Sequence, residues 1–364
     1  MMLKERDFLI WLSHIGGISF KLLNNLYDYF GCLEELLTAK ESHISIALNN
    51  NRIITNRLIK NRSKQYIEEI IHQCNEKGIQ ALTISDSDYP EKLKGIYDPP
   101  YVIYLKGKLD MTYPIVAIVG ARKATPYGKW AAFSFARQLA QWKVGTISGL
   151  AYGIDTEAHR GTLADKQYTI GVLGCGIDQC YPVSNTNLMV EILENNGCIL
   201  SEYPPGTPPL KYHFPARNRI ISGLSDGVFI VEAAKKSGAL ITVDFAIDHG
   251  KDVFVLPGNI NSNLSKGTNS LIKDGAKMVL EVEDIIEDLK KTFNFISKKD
   301  NEIINVSLSN KEAKIYNIIK HEPIHIDYIV HKSGIKINEV NPILTVLELK
   351  GFICQLPGKM YTVV

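Results

Sequence analysis

Apolar residues recur over the first 75 positions at the three- and four-residue spacing of a helix: Phe8, Leu9, Leu12 and Ile15, then Leu22, Leu23, Leu26 and Phe30. Gly16-Gly17 separates the two groups and Gly31 closes the second, so the pattern predicts two short helices joined by a glycine hairpin. A helix-hairpin-helix or SAM-like unit fits, with hairpin amides offered to a phosphate; a small packing domain fits as well. From about 78 to 295 the period changes. Residues 115–119 form a continuous apolar run ending at Gly120, and further runs fall at 144–148, 169–173, 198–201, 228–231 and 253–256. Helical segments at 130–142, 155–164, 188–195 and 240–249 separate them. Strand–helix alternation with short connections predicts an α/β fold: an extended Rossmann-like, doubly wound, mainly parallel sheet. Ligands of such sheets bind beyond the carboxyl ends of the strands. The polar stretch 297–302 reads as a linker. Ser309 to Glu312 forms a capping box opening a helix, two further helices follow at 326–331 and 340–349, and 351–363 reads as a hairpin. Three helices and a β-wing make a winged helix. The expected domains are 1–75, 76–296 and 303–364.

Charge changes this picture through its distribution, since the formal net charge of +2 over 364 residues says little about partners. No carboxylate occurs between Glu202 and Asp226, while Lys211, Tyr212, His213, Phe214, Arg217, Asn218 and Arg219 crowd into nine residues. Cations interleaved with rings suit a single nucleic-acid strand, which presents phosphates and unstacked bases together. A second acid-free window, 111–154, holds Arg122, Lys123, Lys129, Arg137 and Lys143. Arg52, Arg57, Lys60, Arg62 and Lys64 form a third, which on a helix reads as a solvated face. Six cysteines without a Cys-x-x-Cys pair read as reduced thiols. With a charged N-terminus and no apolar run long enough to span a membrane, they point to a cytoplasmic protein.

The loops after the strands narrow the chemistry. A dinucleotide fingerprint needs glycine at the second position after Gly120, where this chain has Arg122. Its guanidinium can instead grip a phosphate. No P-loop, G-x-S-x-G or H-E-x-x-H motif occurs, and no cofactor or metal is called for. The loop 148–153 and the loop through Ser237 and Gly238 each lead into a helix and resemble phosphate cradles. Asp155, Asp178 and Asp226 read as caps or turn residues, and His159 as a core contact. His213 is the histidine placed in a site, as a hydrogen-bonding or stacking group.

These motifs resemble the DNA-processing protein A (DprA, or Smf) family: V-G-A-R at 119–122, S-G-L-A-Y-G-I-D at 148–155, L-K-Y-H-F-P-A-R-N-R-I-I at 210–221 and S-G-A-L-I-T at 237–242. The resemblance implies a non-enzymatic single-stranded-DNA-binding protein that protects incoming DNA, forms a homodimer and loads the RecA recombinase in natural transformation. It implies that Arg122 and Lys211 hold phosphates, that Phe214 stacks on a base, and that Arg217 and Arg219 line or brace the groove. Gly120, Lys123, Asn218, Ser237 and Gly238 complete the expected DNA-binding set. Many members carry Lys where this chain has Val183, so a phosphate contact there is either absent or supplied by Lys123 or Lys129.

Two other functions compete. The central segment also resembles LOG-type phosphoribohydrolases, but 237–243 lacks the glutamate that would act as their general acid. A duplex-binding regulator acting through the wing is the third reading. The expected recognition helix, about 338–350, sets Lys336 and Lys350 against Glu339 and Glu348, which is weakly basic for reading a duplex.

Overall fold

The computed structural model describes residues 3–293, 309–319, 323–349, 352–356 and 358–363. The linker at 297–302, Lys350 and Gly351 lie outside the described residues. The chain divides into two compact units, Met1–Phe295 and Ile296–Val364.

The first unit opens with α1 (Glu5–Ile15), α2 (Phe20–Phe30), α3 (Glu41–Ala47), α4 (Arg52–Lys60) and α5 (Lys64–Glu76). Gly16 and Gly17 between α1 and α2 have φ of 73° and 80°, values that side chains disfavour, so the glycine pair makes the tight reversal. The buried faces of these helices share one apolar core with Tyr104 and Val102 of the sheet. Ser13 Oγ meets the Tyr104 hydroxyl at 2.5 Å, and Arg6 donates to the Ala81 carbonyl.

The sheet contains β1 (Gln80–Thr83), β2 (Val102–Gly107), β3 (Ile115–Val119), β4 (Gly145–Ser148), β5 (Thr169–Leu173), β6 (Cys198–Ser201), β7 (Gly227–Ile230), β8 (Asp252–Val255) and β9 (Lys277–Met278). Their spatial order is β1-β2-β6-β5-β4-β3-β7-β8-β9. Strands β3 to β9 are parallel. β2 runs antiparallel to β6 and β1 antiparallel to β2, a two-strand extension that periodicity did not single out. The connecting helices are α6 (Glu91–Lys94), α7 (Pro126–Gln141), α8 (Ile154–Ala164), α9 (Thr186–Glu194), α10 (His213–Leu224), α11 (Ala239–Asp248), α12 (Lys266–Lys273) and α13 (Glu283–Leu289). β3 shows why its sequence is apolar throughout. Ile115, Ala117 and Val119 enter the core shared with Ile220 and Ile221 of α10, whereas Val116 and Ile118 enter the core shared with Phe135 of α7.

The chain winds from β3 to β6 in one direction, then crosses by α10 to β7 on the other side of β3. That reversal creates a crevice at the carboxyl ends of β3 and β7.

The second unit comprises α14 (Asn310–Ile319), β10 (Ile324–His325), α15 (Ile326–Ser333), α16 (Ile337–Leu349), β11 (Ile353–Leu356) and β12 (Met360–Val363), with strand order β10-β12-β11. It is the expected winged helix. The capping box is present: the Ser309 amide donates to Glu312 at 2.7 Å, and the Glu312 amide to Ser309 Oγ at 3.3 Å. Lys311 pairs with Glu339 of α16. Among the described residues no helix is long and apolar enough to cross a membrane.

His159 is a core residue, fully buried with Nδ1 2.8 Å from Thr169 Oγ1. Burial, with the Arg217 charge adding, depresses its pKa to about 3. Below the ordinary histidine value of 6.5 the unfolded chain takes up a proton that the folded chain refuses. Stability conferred by this group is therefore complete above pH 6.5 and falls as the pH drops toward 3, at a limiting slope of about 1.4 kcal/mol per pH unit. Denaturant titrations between pH 4 and 7 are expected to show that His159→Asn removes about one proton's worth of this slope.

Candidate nucleic-acid interface

The crevice at the reversal is a cleft of about 440 Å³. The turn after β3 gives it Gly120, Arg122 and Lys123; α10 gives Phe214, Arg217 and Asn218; the start of α11 gives Ser237, Gly238 and Thr242. Nine of the ten expected site residues are thus positioned by three chain segments, eight of them directly in the lining.

The cationic stretch is helical from His213 onward. Pro215 does not stop the helix because it lies in the first turn, where its missing N–H has no intrahelical partner to lose. Helical geometry then sorts the side chains. Phe214, Arg217, Asn218 and Ile221, spaced by three and four, face the cleft. Arg219 is turned away. It forms a bidentate pair with Glu202, both contacts at 2.7 Å, and its Nε donates to the Asp98 carbonyl. Burial alone would lower its pKa, but the Glu202 charge holds it above the ordinary guanidinium value. The expectation that Arg219 meets DNA is therefore corrected: its anion is internal, and it braces α10 against the end of β6.

Arg217 is corrected in part. It reaches the cleft floor but is only 3% exposed. It donates to the carbonyls of Gly149 and Val172. Burial depresses its pKa to about 10 despite the nearby Asp155 charge. Asp155 accepts from the Gly149 and Ala151 amides at 3.0 and 3.3 Å, and burial raises its pKa. The 148–153 loop is thus no open phosphate cradle, because the protein's own carboxylate occupies it. Gly153 there has φ of 78°, and a Cβ would stand 2.3 Å from the Ala121 carbonyl. This glycine lets the Arg122 turn lie on the start of α8.

The other loop is open. A Cβ on Gly238 would meet nothing within 4 Å, and Asn218 ties this turn to α10 through the Gly238 carbonyl. Arg122, Lys123 and Lys211 are exposed and form no carboxylate pair among the described residues. Lys211 sits outside the cleft lining, two residues before α10. The Arg122 guanidinium lies over the Phe214 ring at 5.5 Å, and that ring is backed by Gly174 and by Tyr181 at 5.3 Å. Tyr181, part of the family's Tyr-Pro motif at 181–182, was not among the expected site residues; its place beside Phe214 comes from tertiary contact. His213 is buried and stacks on Tyr203 at 3.9 Å, facing a different cleft. Val183 is exposed, Lys123 lines the cleft and Lys129 does not. Asp178 and Asp226 serve structure, accepting from the Gly206 and Ile115 amides respectively.

A model of DNA recombination-mediator protein A matches residues 80–290, and a DprA winged-helix model matches 305–359. This chain belongs to the DNA recombination-mediator protein A family. It is 31% identical to Protein Smf of Synechocystis over 98% of both chains. It is 43% identical to DNA processing protein DprA of Streptococcus pneumoniae over 58% of this chain and 74% of that one. The X-ray structure of the S. pneumoniae protein covers 81% of this chain at TM-score 0.68 and 33% identity, and all of that chain is covered. A Helicobacter pylori DNA processing protein A structure, described for its single-stranded DNA binding mode, covers 59% of this chain and 98% of its own at TM-score 0.53 and 36% identity.

The correction at Arg219 has a measurable consequence. Arg219→Ala strips the half-buried Glu202 of its bidentate guanidinium partner, and is expected to destabilise the fold by about 3–5 kcal/mol in urea titration. Lys211→Ala, which removes an exposed unpaired cation, is expected to change stability by less than about 0.5 kcal/mol.

Proposed function

We propose that this protein binds single-stranded DNA without cutting it and acts as a recombination mediator, shielding incoming strands and loading the RecA recombinase in natural transformation. The observation that carries the binding reading is the cleft between the Arg122 turn and α10. It combines exposed cations, Arg122 and Lys123, that form no carboxylate pair among the described residues with a half-buried ring, at the sheet edge where such folds take ligands. The single-strand binding described for the H. pylori relative supports the same assignment. Arg122, Lys123 and Lys211 each take a phosphate, Phe214 stacks on a base, and the amides at Ser237 and Gly238 supply neutral donors.

Asp155 is the carboxylate in the cleft lining among the described residues, and it is committed to the Gly149 and Ala151 amides. Glu232, the nearest glutamate after β7, is committed to Thr125 through the amide and hydroxyl. Neither is placed to donate a proton to a bound nucleotide, which favours binding over hydrolysis. Family membership supports the RecA and transformation roles. A homodimer agrees with the free sheet edge at β9, where Met278 and Leu280 are exposed.

Three phosphate contacts on a single strand predict that log K falls with log salt at a slope of about −2. Fluorescence anisotropy should show tighter binding of a single-stranded oligonucleotide than of a duplex of equal length. Arg122→Ala and Lys211→Ala should each lower the slope by about 0.7. Unchanged low-salt affinity in both variants, or release of free base from nucleoside monophosphates, would overturn the reading.

A further inference from the structure

A second cleft, of about 410 Å³, opens on the same edge of the sheet. Its walls are the Gly16-Gly17 hairpin, the turn entering β2, the segment leaving β6 and the first residues of α10. Because β2 is antiparallel to β6, its entry lies beside the exit of β6, at the edge where α10 also begins. Tyr212 and His213 line this cleft, whereas Phe214 and Pro215 line the first. Consecutive Cα atoms are about 3.8 Å apart, so the two clefts meet across a single helical turn.

The second cleft repeats the chemistry of the first. Arg57 of α4 is exposed, and its side chain has no hydrogen bond or ion pair among the described residues. One of its guanidinium nitrogens lies 4.0 Å from the point where a Cβ would stand on Gly16. The backbone amides of Gly16, Gly17 and Ile18 donate to no acceptor among the described residues. Tyr212 is 68% exposed at the rim and meets His213 edge-on at 4.7 Å. The carboxylates in the walls, Glu202 and Asp98, both face Arg219: Glu202 at 2.7 Å and Asp98 at 3.8 Å. Among the described residues they leave Arg57 as the cation of this cleft with no internal anion.

We propose that this second cleft is a subsite for the next nucleotides of the same single strand. Arg57 and the hairpin amides hold a phosphate, and the Tyr212 ring stacks on a base. The strand passes from one cleft to the other over Lys211 and the first turn of α10. This inference rests on the single-strand reading of the first cleft. It makes α1, α2 and α4 part of the binding surface.

The test is a length series of oligothymidylates, from about 4 to about 16 nucleotides, bound to the full chain. Arg57→Ala and Tyr212→Ala should match wild type on the shortest oligonucleotide and lose at least about fivefold on longer ones. Arg57→Ala should also lower the salt slope by about 0.7 on the longer strands alone. Arg122→Ala should weaken binding at every length. If both second-cleft variants equal wild type throughout, or lose affinity equally at all lengths, the subsite is refuted while the first cleft stands. A wild-type protein that binds no oligonucleotide refutes both.

Discussion

The Arg217 guanidinium joins four parts of the central fold from beneath the first cleft. It reaches from α10 to the carbonyl ends of β4 and β5, beside the carboxylate that holds the turn leading into α8. A charge this deeply buried is costly unless every donor is satisfied, so its partners fix the height of α10 over the strand ends. Gly149 is required by the same contact: a Cβ there would stand 2.4 Å from Arg217 and 2.7 Å from Asp155. Above that floor the Arg122 guanidinium lies over the Phe214 ring at 5.5 Å.

A helix that begins in a cationic run divides its charges by direction. Two residues along α10 is roughly 200° of rotation, which separates Arg217 from Arg219 as firmly as distance would. One guanidinium floors the cleft and the other closes an ion pair behind it. Of the cations expected at the cleft, the exposed ones, Arg122, Lys123 and Lys211, belong to turns and chain entries and form no carboxylate pair among the described residues. The exposed cations thus sit on short turns mounted on a braced frame. This division keeps the stabilising charges apart from the charges left for a ligand.

The antiparallel extension at β1 and β2 broadens this frame. It carries the sheet toward the helical hairpin and shares a core with α1, so that Tyr104 of the sheet bonds to Ser13 of the helix. The glycine hairpin and Arg57 are thereby brought to the edge that holds the Arg122 turn. On α4 alone, Arg57 reads as one more solvated charge.

The sequence by itself determined the parallel core, the winged helix and the family. Buried strands such as β3 are apolar on both faces, and capping residues such as Ser309 and Glu312 act within a few positions of one another. It also determined most of the cleft, because Gly120, Arg122 and the Phe214 segment lie in local motifs tied to strand and helix ends. What only the tertiary structure decided was which cations are free. Glu202 bounds the acid-free window in sequence, yet in space it is the partner of Arg219. Asp155 likewise fills a loop whose glycines read as a phosphate cradle. Sequence neighbourhood reports the sign of charge along the chain, whereas an ion pair depends on distances through space that span strands and helices.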